Sequence, residues 1–250
     1  NPTETETSID GNIIFKDVYF TYEDTNIEAL KGVSFEVEKG KTLAIIGNTG
    51  SGKSTILELI GRLYDVQKGA VEIDGANIKT LNLNSLRTAI GFVPQDPFLF
   101  SDSLKNNIKF GKNNATEAEV IEAAKKAVVH KNILNFKNGY ETILGERGIT
   151  LSGGQKQRVS IARAFIKSPQ ILLLDDCLSA VDTETEEQIL NNIELVTKNK
   201  TTIIVSHRIS SAKNADTIIV LNDGIIAQQG THDALISVEG YYKELYQKQL

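Results

Sequence analysis

Thr42-Leu43-Ala44-Ile45-Ile46 runs into Gly47-Asn48-Thr49-Gly50-Ser51-Gly52-Lys53-Ser54, and a helical stretch, Thr55–Leu63, follows. The short continuous apolar run reads as a strand buried on both faces. The eight residues after it fit the phosphate-binding loop pattern. Their glycines let successive backbone N–H groups turn toward a polyphosphate, and the start of the helix adds positive potential at the same place. Lys53 is predicted to reach the β- and γ-phosphates and the Ser54 hydroxyl to bind Mg²⁺. A plain glycine turn could also join a strand to a helix, but the buried strand before and the helix after are the context the phosphate reading requires.

Working outward, similar apolar runs recur at Ile171–Leu174 and Thr202–Val205, with weaker ones at Ile90–Val93 and Thr217–Leu221. Between them lie helical periods. Thr183–Thr197 puts Ile189, Ile193 and Val196 on one face, and Glu117–Val128 and Gln155–Ile166 show the same spacing. Strands alternating with helices imply a mostly parallel sheet covered on both faces. Upstream, NIIFKDVYFTY (12–22) and GVSFEVEKG (32–40) alternate apolar and polar residues, as an N-terminal antiparallel β layer does. Residues 95–168 read as an inserted α-helical subdomain, helical throughout. The polar, acidic opening NPTETETSIDG reads as a linker over 1–11, leaving 12–250 as the folded domain.

Composition narrows the classes. Apolar residues make up 40% and charged residues 24% of the 250, as in an ordinary soluble globular chain. One cysteine can neither form an internal disulfide nor anchor a zinc site. No apolar run approaches the length of a membrane span. The net charge of −5 argues against a nucleic-acid partner. The absence of any methionine suggests a piece of a longer chain.

Two more segments carry chemistry. Ile171-Leu172-Leu173-Leu174-Asp175 is an apolar strand that delivers a carboxylate to the carboxyl edge of the sheet, where open α/β sheets bind ligands. An acid there can simply cap a helix. With a phosphate loop upstream, Asp175 is instead expected to hold Mg²⁺, through water, beside Ser54. Leu151-Ser152-Gly153-Gly154-Gln155 opens the next helix, and a Ser-Gly-Gly turn at a helix start is a second anion site. One nucleotide has no obvious use for two such sites on one chain, so the second is expected to face another molecule.

LSGGQ between GNTGSGKS and ILLLDD, in that order, resembles the nucleotide-binding domain of an ATP-binding cassette (ABC) protein, over about Asn12 to Leu250. The resemblance implies a P-loop NTPase core, ATP and Mg²⁺ as ligands, and a head-to-tail dimer. In that dimer ATP lies between the loop of one domain, Gly47 to Thr55, and the Ser152–Gln155 turn of the other. It also assigns Tyr22 to stacking on adenine, Gln95 to Mg²⁺ and the attacking water, His207 to the γ-phosphate, and Asp182 to communication across the dimer. The plain alternatives are packing for Tyr22, loop satisfaction for Gln95 and a structural histidine at 207. His130 and His232 lie outside every motif and read as structural or solvent-facing. Cys177 reads as a small packing residue.

One position departs from the family pattern. Asp176 stands where the family usually has a glutamate that orients or deprotonates the attacking water. The shorter side chain implies a slow site, and hence a heterodimer whose active site is completed by this chain's LSGGQ. A plain reading, in which backbone or water compensates, leaves hydrolysis normal. Among ABC proteins, the spacing from Gly47 to Leu151 leaves no room for the coiled coils of DNA-repair members, and ribosome-acting members carry two cassettes. Glu146-Arg147-Gly148 and the C-terminal NDGIIAQQGTHDALISVEGYYKELYQKQL resemble exporters whose membrane domain precedes the cassette. The resemblance therefore implies the ATP-hydrolysing motor of a half-transporter, on the cytoplasmic face of a membrane, with a transmembrane domain as partner. The amphipathic stretch near Tyr241–Gln249 is expected to pack on the domain. An importer's ATPase subunit, or an ATP-gated dimerisation module with little hydrolysis, remain as alternatives.

Overall fold

A computed structural model describes residues 3–145 and 151–249. The chain folds as two compact units, one of Asn1–Ile90, Gln170–Asp175 and Asn199–Leu250, the other of Gly91–Pro169 and Asp176–Lys198. In chain order the elements are β1 (Ile13–Tyr22), β2 (Ile27–Val37), β3 (Thr42–Ile46), α1 (Lys53–Ile60), β4 (Lys68–Ile73), β5 (Ala76–Asn77), α2 (Leu83–Ala89) and β6 (Ile90–Val93). Then come α3 (Leu104–Lys109), α4 (Glu117–Lys126), α5 (His130–Leu134), α6 (Gly153–Phe165), β7 (Ile171–Asp175) and α7 (Thr183–Val196). The chain finishes with β8 (Thr201–Ser206), α8 (Ile209–Ala212), β9 (Thr217–Asn222), β10 (Ile225–Gly230), α9 (His232–Ser237) and α10 (Tyr241–Gln249).

The first unit is α/β. Its N-terminal strands form an antiparallel sheet in the order β2-β1-β4-β5, as the alternation over 12–22 and 32–40 implies. In the second sheet β9, β3, β8 and β7 are neighbours in that order and run parallel, and β10 pairs antiparallel with β9. β3 shows why a strand buried on both faces is uniformly apolar. Leu43 and Ile45 enter the large core with Ile56 and Ile60 of α1, Phe15 of β1 and Leu173 of β7. Ala44 and Ile46 enter a second cluster with Ile209, Leu235 and Tyr242. Burying each such Ile or Leu contributes about 1.5–3 kcal/mol. Tyr242 places α10 on this face, so the C-terminal amphipathic helix packs on the domain.

The ladders also set the functional edge. Across β8, Ile45 and Asp175 both pair with Val205, and Ile46 pairs with Ser206. Three parallel strands therefore end level, at Gly47, after Asp175 and before His207.

Residues 3–11 form no helix or strand, yet they lie on the first unit. Ile9 is buried. The Asp74 carboxylate accepts from the backbone amides of Asp10, Gly11 and Asn12, at 2.7–3.0 Å. Asn82 donates to the Thr3 carbonyl, and the buried Thr201 hydroxyl donates to the Gly11 carbonyl at 2.6 Å. The anchoring is mostly through backbone groups, so it leaves no apolar pattern in the sequence.

The second unit carries α3–α7 but is not helical throughout. Pro94 and Pro97 interrupt the loop after β6, and Gly111 with Asn113 and Asn114 separates α3 from α4. Helices α4, α6 and α7 have side-chain caps, whereas α5 has none. Thr116 and Glu119 form a reciprocal cap on α4, Ser152 and Gln155 form one on α6, and Asp182 caps α7 through the Thr185 amide.

Candidate functional site

In the first unit the loop from Gly47 to Ser54 joins the end of β3 to the start of α1. Gly52 has φ of 98°, and a Cβ there would lie 2.4 Å from the Ala29 carbonyl oxygen, so only glycine fits this turn. Lys53 is buried, and its ammonium donates to the carbonyls of Gly47 (2.9 Å) and Asn48 (2.6 Å). The cation is thus tied back over its own loop. Thr49 and Gly50 are exposed at the loop's crest, and Ser51 is buried beneath them with a hydroxyl that finds no hydrogen-bond partner among the described residues.

Asp175, buried at the end of β7, accepts a 3.0 Å hydrogen bond from the Ser54 hydroxyl. The pairing comes from topology. Strands β3 and β7 flank β8, so the first turn of α1 and the last residue of β7 meet at one edge. These are hard oxygen donors of the kind Mg²⁺ selects. The residues fit a Mg²⁺-polyphosphate on two counts: the paired Ser54 and Asp175 oxygens, and the orphaned Ser51 hydroxyl beside the loop amides.

Tyr22 ends β1 on the same unit. Its hydroxyl lies 2.9 Å from Thr55 Oγ1 and donates to Glu58 at 2.7 Å. Its ring meets Phe20 and Tyr64 edge-on, at centroid distances of 4.9 and 5.4 Å. Burial, ahead of Glu58, holds the phenol well above its ordinary pKa, so it stays protonated. Asn48 Oδ1 accepts from the Tyr241 hydroxyl at 3.0 Å. His207 follows β8 directly, and the Gln249 amide donates to its carbonyl at 2.8 Å.

The second unit holds the remaining candidates. Gln95 lies exposed in the loop after β6. The Ser152 hydroxyl accepts from the Gln155 amide and Gln155 Oε1 accepts from the Ser152 amide, so this turn is fixed as a helix start with Ser152 and Gly153 exposed. Gly154 packs closely, since a Cβ there would come 2.8 Å from the Ala180 carbonyl oxygen. Asp176 is buried in a left-handed conformation, φ 42°, and its carbonyl accepts from the Ser179 hydroxyl. The Thr185 amide holds the Asp182 carboxyl below the usual carboxylate range. Cys177 is buried, while His130 and His232 lie 2.8 and 2.9 Å from the hydroxyls of Tyr140 and Tyr242, as structural residues do. Glu146-Arg147-Gly148 lies outside the described residues.

Two residues with evident roles escape the motif reading. Buried Gln157 donates to the Gln95 carbonyl (3.2 Å) and accepts from the Ala180 amide (3.4 Å), tying the Gln95 loop to the turn after Asp176. Its spacing to Ile161 and Phe165 put it on the apolar face of α6, which was the available signal. Arg163 donates to the carbonyls of Phe98 and Asn107, both at 2.8 Å, and lies against the rings of Phe100 and Phe110. Burial pushes its pKa down to about 10. It thereby supports an aromatic surface on which Phe98 and Phe110 are 54% and 60% exposed, in the same stretch as Gln95.

Among the described residues no helix is long and apolar enough to cross a membrane, and no three metal-ligating side chains cluster. Comparison with known proteins adds the following. The ABC transporter family matches residues 30–179. ATP-binding cassette sub-family B member 6 of Xenopus tropicalis is 49% identical over 239 residues, covering 96% of this chain and 28% of that protein. ABC transporter B family member 24, mitochondrial, of Arabidopsis thaliana is 47% identical over 239 residues, covering 96% of this chain and 35% of that protein. A solved bacterial Atm1-family ABC exporter with ATP bound superposes with a TM-score of 0.95 at 44% identity, over all of this chain and 44% of that one. The chain thus spans less than half the length of each.

Proposed function

The chain belongs to the ABC transporter family, as a nucleotide-binding domain of the B-family exporter type, and from that premise we propose that it binds and hydrolyses ATP to drive export of a substrate across a membrane. The observation that carries this reading is the 3.0 Å contact between Ser54 and Asp175 at the root of the glycine loop. Similarity to a structure with ATP bound supports it.

The loop amides from Gly47 to Thr55 receive the phosphates, Lys53 turns from its own carbonyls to the β- and γ-oxygens, and Tyr22 offers its ring to adenine. Ser54 and Asp175 are the groups that would hold Mg²⁺, with Gln95; when bound, the ion neutralises charge on the β- and γ-phosphates. Asp176 orients the attacking water or takes its proton, and His207 contacts the γ-phosphate. Ser152, Gly153, Gly154 and Gln155 serve a second nucleotide-binding domain, completing its site from across a head-to-tail dimer. The aromatic surface around Phe98 and Phe110 offers a transmembrane domain an apolar landing beside Gln95, so opening and closing of the dimer reaches membrane helices through that loop. The domain then works at the cytoplasmic face.

Asp176 supports a finer reading: its own site is slow, and the partner in the dimer is a different chain whose site is the fast one. A second reading, an ATP-gated dimerisation module with little hydrolysis, rests on the same residue. An importer's ATPase subunit is disfavoured by the exporter relatives.

Calorimetric titration of the chain with ATP, with and without Mg²⁺, tests the central claim. The wild type is expected to bind Mg-ATP more tightly than ATP alone. Ser54→Ala is expected to lose about 10–100-fold of that Mg²⁺-dependent gain, the equivalent of one charge-assisted hydrogen bond. Equal affinities in both proteins and both buffers would refute it.

A further inference from the structure

The last turn of α10 is joined to the segment that carries His207. Gln249 Nε2 donates to the His207 carbonyl at 2.8 Å, and Gln249 Oε1 accepts from the Ile209 amide at 2.8 Å. One side-chain amide thus grips a carbonyl and an amide on either side of Arg208, as a neighbouring strand would. The Arg208 amide is itself held by the Ser206 hydroxyl at 3.0 Å. The turn out of β8 is therefore fixed at three successive points.

The far end of α10 is equally anchored. Tyr241 reaches Asn48 of the glycine loop, the Tyr242 amide bonds Gln228, and the Tyr242 ring is fully buried against Ala44 and Ile46 of β3. Helix α10 therefore spans from the loop that receives the phosphates to the segment that follows β8. Only an amide side chain of this length supplies both a donor and an acceptor at that reach. Asparagine is a methylene short, and glutamate cannot donate to a carbonyl.

We propose that Gln249 is a positioning residue for His207: it fixes the backbone of residues 207–209 so that the imidazole meets the γ-phosphate. The proposal rests on the reading of His207 as the γ-phosphate contact. A purely structural role would instead rest on the Ile209 bond alone, since Ile209 opens α8, whose Arg208 cap provides no side-chain bond, and Gln249 supplies one. The two roles separate chemically. Gln249→Glu keeps the acceptor for the Ile209 amide but replaces the bond to His207 by repulsion between a carboxylate oxygen and the carbonyl, whereas Gln249→Ala loses both bonds.

The experiment is steady-state ATP hydrolysis by the full chain carrying Gln249→Glu, Gln249→Ala, His207→Ala or the double change Gln249→Ala/His207→Ala, with melting temperatures alongside. His207→Ala must first lower kcat at least tenfold; if it does not, the underlying reading of His207 fails and the proposal falls with it. Given that loss, both Gln249 variants are expected to lower kcat about fivefold or more, with KM for ATP within twofold of wild type. The double variant is expected to be no slower than His207→Ala alone, since both changes remove one contact. Wild-type kcat in Gln249→Glu, or losses that multiply in the double variant, would overturn the proposal while leaving the His207 reading intact. Should Gln249→Ala melt early, Gln249→Glu, which retains the helix start, decides alone.

Discussion

Replacing Asp176 by glutamate measures what a single methylene does to the proposed hydrolysis step. Asp176 is buried at the end of a strand-to-turn transition, so its carboxylate cannot swing far to make up a shortfall. Glutamate extends the carboxylate by one C–C bond, about 1.5 Å. A misplacement of about 1 Å at the reacting centre costs on the order of 10²-fold in rate, or ~2.7 kcal/mol at ~1.36 kcal/mol per decade. Opposing this, residue 176 has φ of 42°, a left-handed conformation that aspartate tolerates better than glutamate. The buried pocket must also admit an extra methylene, at about 1–3 kcal/mol. Asp176→Glu is therefore expected to hydrolyse ATP about 100-fold faster in a single-turnover assay while melting several degrees lower. Asp176→Asn, which suits the left-handed backbone but cannot take a proton, is expected to hold ATP without turning it over. Equal turnover in wild type and Asp176→Glu, with both proteins folded, would refute the reasoning: aspartate would already reach the water, and its presence would reflect only the backbone conformation. Full activity from a dimer of identical chains would likewise remove the argument for a different partner.

Two further outcomes concern stability. Thr201→Val deletes the hydroxyl that donates to Gly11 and accepts from the Gly40 amide, leaving both backbone groups unpaired in a buried site. The expected loss is about 2 kcal/mol, a fall of about 4–8 °C in Tm for a chain of this size, and an unchanged Tm would show that the Thr201 hydroxyl's bonds to Gly11 and Gly40 add nothing to the fold. Glu119 has its carboxyl lowered from 4.5 to about 2, first by Lys112 and then by the Thr116 amide. A carboxyl with a depressed pKa contributes fully above its unfolded value and loses that contribution as pH falls through its folded one. The protection against hydrogen exchange at the first turn of α4, taken relative to intrinsic exchange at each pH, should therefore fall between pH 4.5 and 2, and Glu119→Gln should remove that fall; the same fall in the variant would refute the assignment.

The stretch around Gly47 was legible because every local cue agrees: an apolar strand, glycines where the backbone approaches Ala29, and a helix start. Asp175 was legible for the same reason, at the end of a run that can only be a buried strand. The discontinuous helices of 95–168 were harder, since Pro94, Pro97 and Gly111 break a stretch that otherwise looks helical in composition. Strands β4 and β5 were missed because their few residues carry little alternation. The docking of residues 3–11, the bridge made by Gln157 and the grip of Gln249 on residues 207–209 are contacts between polar groups far apart in the chain. Apart from the place of Gln157 on the apolar face of α6, they leave no periodicity to read. The left-handed turn at Asp176 is similarly invisible, although it bears directly on why an aspartate stands there.

The attachment of residues 3–12 has a mechanical consequence. A pull on Thr3 would meet the bonds to Asn82 and Ser85 singly, at low force, and then the three amides gathered on Asp74 together with the Thr201 bond to Gly11. At Ile13 the geometry changes, because β1 lies between β2 and β4 and its hydrogen bonds on both sides would have to shear together. A pull applied at Thr3 would thus meet the bonds of residues 3–12 first and β1 next, before it could disturb the glycine loop.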